Sequence, residues 1–74
     1  MKIGDKVKCY HFRGVDGCYD IGEVVGIFED GTFRAKTLQS FWQGEEEEPQ
    51  SDFFTAPQQG QSVLDSNWNR VVTL

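Results

Sequence analysis

The pair Asp30-Gly31 joins two strand-like runs, Gly22-Glu23-Val24-Val25-Gly26-Ile27-Phe28-Glu29 and Thr32-Phe33-Arg34-Ala35-Lys36-Thr37. Asp-Gly between runs of β-branched and aromatic residues is the strongest short-range hairpin signal a sequence carries. As the two loop residues of a type I′ turn, both take the positive φ that the turn requires. The pairing then sets Phe28 opposite Phe33, Ile27 opposite Arg34, Gly26 opposite Ala35, Val25 opposite Lys36 and Val24 opposite Thr37. Opposed residues share a face, and the face alternates along a strand. One face carries Phe28, Phe33, Gly26, Ala35, Val24 and Thr37, and reads as core. Gly26 fits a bend or bulge in that strand. The other face carries Val25, Ile27, Arg34 and Lys36. Either the Arg34 and Lys36 stems cover the two apolar residues in solvent, or the four form a binding patch.

The rest of the chain closes onto this hairpin. Seventy-four residues allow one domain, 1–74. So short a chain buries only about 60% of its unfolded surface, so its core is thin, and six Phe, two Tyr and two Trp suit a small β core. Residues 3–12 read as a first strand, with Val7 and Cys9 on one side and Lys6, Lys8, Tyr10 and Phe12 on the other. Residues 13–20 carry two glycines and read as a long loop or irregular hairpin tip. The third strand runs on towards Phe41-Trp42. From Gln43 to Gln61 the composition is that of an irregular loop. Glu45–Glu48 is like-charged and ends at Pro49, so it is not expected to pair as a strand. Phe53-Phe54 is an apolar island there, either an anchor pinning the loop down or part of a recognition site. Ser62-Val63-Leu64 reads as a fourth strand, Asp65-Ser66-Asn67 as a turn, and Trp68–Leu74 as the closing strand.

Gly4-Asp5-Lys6-Val7, Gly22-Glu23-Val24-Val25-Gly26 and Asp30-Gly31 carry spacings that resemble those of SH3-like barrels of the KOW and Tudor type and of plasmid-borne dihydrofolate reductases. The resemblance implies an all-β, five-stranded SH3-like barrel, with the long acidic loop (43–61) between strands three and four. It covers the first half by motif and the second by element count. The reductase's Val-Gln-Ile-Tyr stretch is missing, as are the Ala-Leu-Tyr-Asp-Tyr start and Trp-Trp pair of peptide-binding SH3 domains, so no family site residue is carried over. Small barrels with irregular loops of this kind are frequent among phage and mobile-element proteins.

The net charge of −5 is unevenly spread. Residues 1–40 hold six Lys/Arg and six Asp/Glu, while residues 41–74 hold one Arg and six acids. An acidic chain is a poor general nucleic-acid binder, because phosphate contacts supply most non-specific affinity. No apolar run approaches the ~20 residues of a membrane span, and no signal-peptide pattern opens the chain, so a cytoplasmic location without membrane partners is expected. Cys9 and Cys18 are expected as free thiols. Cys9, His11 and Cys18 match no metal-ligand spacing, and neither metal nor cofactor is expected.

Nor does the chain show a nucleophile with a visible partner or a phosphate loop, so the leading expectation is a non-enzymatic protein-interaction module. Its candidate contact residues are Tyr10, Phe12, Tyr19 and Trp42, with Val25, Ile27, Arg34 and Lys36, since aromatic and Arg anchors dominate interface energetics. Homo-oligomerisation through the last strand is a variant. Nucleic acid is the alternative partner, because Lys6, Lys8, Tyr10, Phe12 and Arg13 interleave cations with stacking rings, as single-strand binders do. A second alternative is an acidic mimic of nucleic acid, with Glu45–Glu48 blocking a basic partner.

Overall fold

A computed structural model describes residues 1–12, 15–58 and 70–74. The described chain is all-β, with strands β1 (Lys6–Phe12), β2 (Val15–Ile27), β3 (Thr32–Trp42), β4 (Glu45–Glu47), β5 (Phe53–Pro57) and β6 (Arg70–Thr73). They form one antiparallel sheet in the order β4-β3-β2-β1-β6, with β5 also paired to β3. β4 pairs with Ser40–Trp42 and β5 with Thr32–Lys36, so the two lie end to end along one side of β3. Six strands therefore stand where five were expected, and among the described residues the sheet does not close on itself.

The central hairpin is present, but its turn and register differ from the sequence expectation. Gly31 has φ 89°, whereas Asp30 is not among the residues with positive φ. The Gly31 amide donates to the Phe28 carbonyl and the Phe28 amide to the Thr32 carbonyl, at 3.3 and 2.9 Å. That is a three-residue loop, Glu29-Asp30-Gly31, in which glycine alone takes the left-handed position. Asp30 is held out of that region by its own side chain, which accepts from the Thr32 amide at 3.0 Å and the Thr32 hydroxyl at 2.6 Å. The extra loop residue moves the pairing by one. Ile27 now opposes Phe33, and Gly26 opposes Arg34. A bulge at Val25, beside the glycine expected to bend the strand, then sets Val24 opposite Ala35. Phe33 is fully buried while Phe28 is 46% exposed, so Phe28 leaves the predicted core face.

The type I′ turn occurs instead at Gln43-Gly44, with φ of 52° and 84°. It returns the chain as β4, pairing Glu45 with Trp42, Glu46 with Phe41 and Glu47 with Ser40. The acidic run thus does pair. All three glutamates are exposed, so water screens their charges and the strand alternation separates neighbours. The Gly44 amide donates to the Gly17 carbonyl at 2.9 Å, and a Cβ on Gly17 would lie 2.8 Å from the Gly44 nitrogen. Residues 15–20, expected as loop, extend β2 because Tyr19, Asp20 and Ile21 pair with both β1 and β3. Phe53-Phe54 begins β5, and Phe54 packs on the core as the anchor alternative anticipated. The expected strand at Ser62–Leu64, the Asp65–Asn67 turn and Trp68-Asn69 lie outside the described residues; the closing strand is seen from Arg70.

The core is Val7, Cys9, Val24, Phe33, Ala35, Ala56 and Val71, drawn from β1, β2, β3, β5 and β6. Since β5 and β6 stand on opposite flanks of the sheet, the sheet must curl to bring Ala56 and Val71 into one cluster. Cys9 and Cys18 are free and buried. Among the described residues no helix is long and apolar enough to cross a membrane.

Candidate functional site

The register sorts side chains onto two faces, one looking into the curl and one outward. Buried Val7, Cys9 and Val24 mark the inward face. Residues alternating with them look outward, and their partners follow them across the sheet. Lys6 opposes Glu23, which opposes Lys36, which opposes Phe53. Val72 opposes Lys8, then Ile21 and Gln39. Arg70 opposes Tyr10, then Tyr19, Phe41 and Glu46.

That last row is a continuous aromatic ridge. Tyr10 and Tyr19 stand 5.8 Å apart between ring centroids, and Tyr19 stacks on Phe41 at 4.6 Å. Cations lie over it: the Lys8 ammonium sits 4.1 Å from the Tyr19 centroid and 5.0 Å from Tyr10, and the Arg70 guanidinium 4.0 Å from Tyr10. Hydrogen bonding from Lys8, ahead of that from Arg70 and the charge of both, lowers the Tyr10 pKa below its ordinary value. Farther along, Arg34 lies 4.5 Å over the Phe53 ring. Lys6, Lys8, Arg34, Lys36 and Arg70 thus share one face, five of the seven Lys/Arg in a chain of net charge −5.

The expected contact residues divide into three groups. Tyr10, Tyr19, Arg34 and Lys36 lie on the outward face together. Val25 and Ile27 are 41% and 39% exposed at the bulge beside the turn. Phe12 and Trp42 pack edge-to-face at 5.8 Å, because the register shift after Tyr10 takes Phe12 out of the Lys6-Lys8-Tyr10 row. Arg13 lies outside the described residues. Alternation puts Glu46 outward and Glu47 inward, so the acidic run does not make one phosphate-like row. Phe41 and Arg70 were missed as contact residues, while Phe53, one of the Phe53-Phe54 island, stands on the outward face. Bulging at Leu38 changes the parity of β3 before Phe41, and Arg70 joins the ridge only through β1–β6 pairing.

The inward face becomes polar at its other end. His11, Asp20 and Ser40 meet there. The Ser40 hydroxyl donates to Asp20 Oδ1 at 2.6 Å, and His11 Nε2 lies 3.4 Å from Asp20 Oδ2. Burial opposes ionisation of Asp20, but the hydrogen bonds from His11 and Ser40 outweigh it and lower the carboxyl below its usual range. With the carboxylate in the middle, the serine proton points at Asp20 and not at the imidazole, unlike a nucleophile–base pair. These residues open onto a cleft of about 340 Å³, also lined by Trp42, Phe54, Glu47 and Glu48. Cys18-x-Asp20-x-Gly22-x-Val24 in the sequence carries the period-2 signal that could have placed Asp20 inward. Among the described residues no group of three or more His, Cys, Asp or Glu is arranged to hold a metal ion.

Set against models of protein families, characterised proteins and solved structures, the chain matches none.

Proposed function

We propose that this chain is a small SH3-like module that binds another protein through the outward face of its sheet and does no chemistry of its own. The observation that carries this is the gathering of Lys6, Lys8, Arg34, Lys36 and Arg70 around Tyr10, Tyr19, Phe41 and Phe53 on one face of an acidic chain. Aromatic and Arg side chains are the residues that anchor interfaces, and a basic face selects an acidic partner and speeds encounter. The curl that unites Ala56 and Val71 in one core supports the SH3-like architecture.

The test is affinity capture from the native host at low and high salt, run beside a Lys8→Glu/Lys36→Glu variant. The expected result is a polypeptide retained by the wild type and lost with the variant and at high salt. No polypeptide distinguishing the two proteins defeats the proposal.

A second reading, single-stranded nucleic acid, draws on the cations seated over Tyr10 and Tyr19. Bases stack on rings while cations take the phosphates. Saturable binding of labelled oligo(dT) or oligo(U) at low salt, falling steeply as salt rises, would favour it over a protein partner.

A further inference from the structure

The inward face of the sheet changes chemistry along its length. Near the central turn it is Val24, Phe33, Ala35 and Ala56, sealed from water. Beyond Gly22 and Thr37 it carries a cross-strand row in which Cys9 opposes Asp20, Asp20 opposes Ser40 and Ser40 opposes Glu47. A core-facing carboxylate is costly unless its surroundings compensate it. The Asp20 side chain is only 14% exposed, yet His11 and Ser40 keep it in the charged form. A hydrophobic residue in its place would extend the core; the carboxylate instead puts a fixed negative charge at the floor of the cleft.

The cleft is of the size that small ligands occupy. Trp42 and Phe54 supply its aromatic lining, Glu47 ends β4, and Glu48 opens the excursion that links β4 to β5. Among the described residues no Lys or Arg lines it, although five of the chain's seven sit on the opposite face of the same sheet. Carboxylates and aromatic rings both attract cations, and an anion would meet three negative charges here without an Arg or Lys to offset them.

We propose that this cleft is a binding site for an organic cation, an alkylammonium or guanidinium group, held between the aromatic lining of Trp42 and Phe54 and the carboxylates of Asp20 and Glu47. It is separate from the outward face and opposite to it in polarity. Its ligand is either a free amine or the Arg or Lys side chain of a polypeptide; both present the same head group.

The test is a titration of the ¹⁵N-labelled protein followed by NMR, with the Trp42 indole signal identified from a Trp42→Phe variant. The probes are N-ethylguanidinium, n-butylammonium and a Gly-Arg-Gly peptide, with butyrate and n-butanol as matched anion and neutral. The expected result is saturable movement of the Trp42 indole and the Ser40 and Thr37 amides by the cations, at about 1 mM for such small probes. Butyrate gives no movement and butanol only weak movement. Tighter binding of the peptide than of the free amines identifies a polypeptide ligand; equal or weaker binding identifies a free amine. Glu47→Gln/Glu48→Gln, both exposed and clear of the core, is expected to weaken the cations about fivefold with an unchanged thermal midpoint. Asp20→Asn is expected to weaken them further. Lys8→Glu/Lys36→Glu is expected to leave cation binding intact, so loss of the outward-face function and loss of this site are told apart. A silent Trp42 indole, an equal response to butanol, or undiminished binding by the double Gln variant overturns the proposal.

Discussion

At Gly22 the missing side chain lets the Phe54 ring lie against β2. A Cβ there would fall 2.8 Å from two ring carbons and 3.0 Å from the Ala35 Cβ. Gly22→Ala is expected to cost about 1–3 kcal/mol in urea unfolding, the range for forcing atoms into a packed core. Gly26, where the nearest atom would be 3.7 Å away, is the control, and Gly26→Ala is expected to be neutral or slightly stabilising. Cys9 makes a second prediction at this scale. Burial, and secondarily the charge of Asp20, push its thiol up to about 12. The unfolded thiol loses its proton near pH 8.5, so above that point the unfolded chain binds fewer protons than the folded one. Stability from this group is complete below about pH 8.5 and declines as pH rises towards 12. Urea midpoints taken across the alkaline range in wild type and Cys9→Ala should show a steeper fall in the wild type.

Strands were legible where alternation was uninterrupted. β1 and the body of the β2–β3 hairpin could be read directly, because Val7-x-Cys9 and Phe33-x-Ala35 repeat with the strand period. The turn between β2 and β3 could not. Asp-Gly serves both the two-residue I′ turn and the three-residue loop with glycine in the left-handed position. The Asp30–Thr32 hydrogen bonds favour the three-residue loop, and the backbone bonds between Phe28 and Thr32 close it. The shifted register has a direct test. Phe33→Ala is expected to cost about 3–5 kcal/mol, enough to unfold much of a domain this small. Phe28→Ala is expected to cost under about 1 kcal/mol, whereas pairing of Phe28 with Phe33 would require both to be severe. Gly31→Ala, forced into φ 89°, is expected to cost about 1–2 kcal/mol in the same assay. β4 was illegible for another reason: a glutamate run argues against pairing only while its neighbours are unknown. The Gln43-Gly44 turn lays it against Ser40–Trp42 with every carboxylate in water.

Across its described residues the molecule is polar in the electrical sense, basic and aromatic outside the sheet, and acidic in the cleft within it. Sequence charge counts averaged these into a net −5 and argued only against general nucleic-acid binding. Asp20 ties stability to pH at this scale, since it joins β1, β2 and β3 through His11 and Ser40. Its pKa is lower folded than unfolded, so its stabilisation is present above the ordinary aspartate pKa and is lost as pH falls through the folded value. Unfolding midpoints measured from neutral pH to about pH 3 should fall more in the wild type than in Asp20→Asn. Equal slopes would mean that the carboxylate does not hold these strands together.

By itself the sequence determined that this chain is all-β, that β2 and β3 form a central hairpin, and that Val7, Cys9, Val24, Phe33 and Ala35 face inward. Each follows from local rules, turn chemistry and the two-residue period of a strand. Tertiary structure alone decided the register, the pairing of the acidic strand, the Tyr10–Tyr19–Phe41 ridge with Lys8 and Arg70 over it, and the meeting of His11, Asp20 and Ser40. Those depend on bulges at Val25 and Leu38 and on pairing between strands distant in the chain. A one-residue slip reverses every side chain beyond it, and no local rule fixes where the slip occurs.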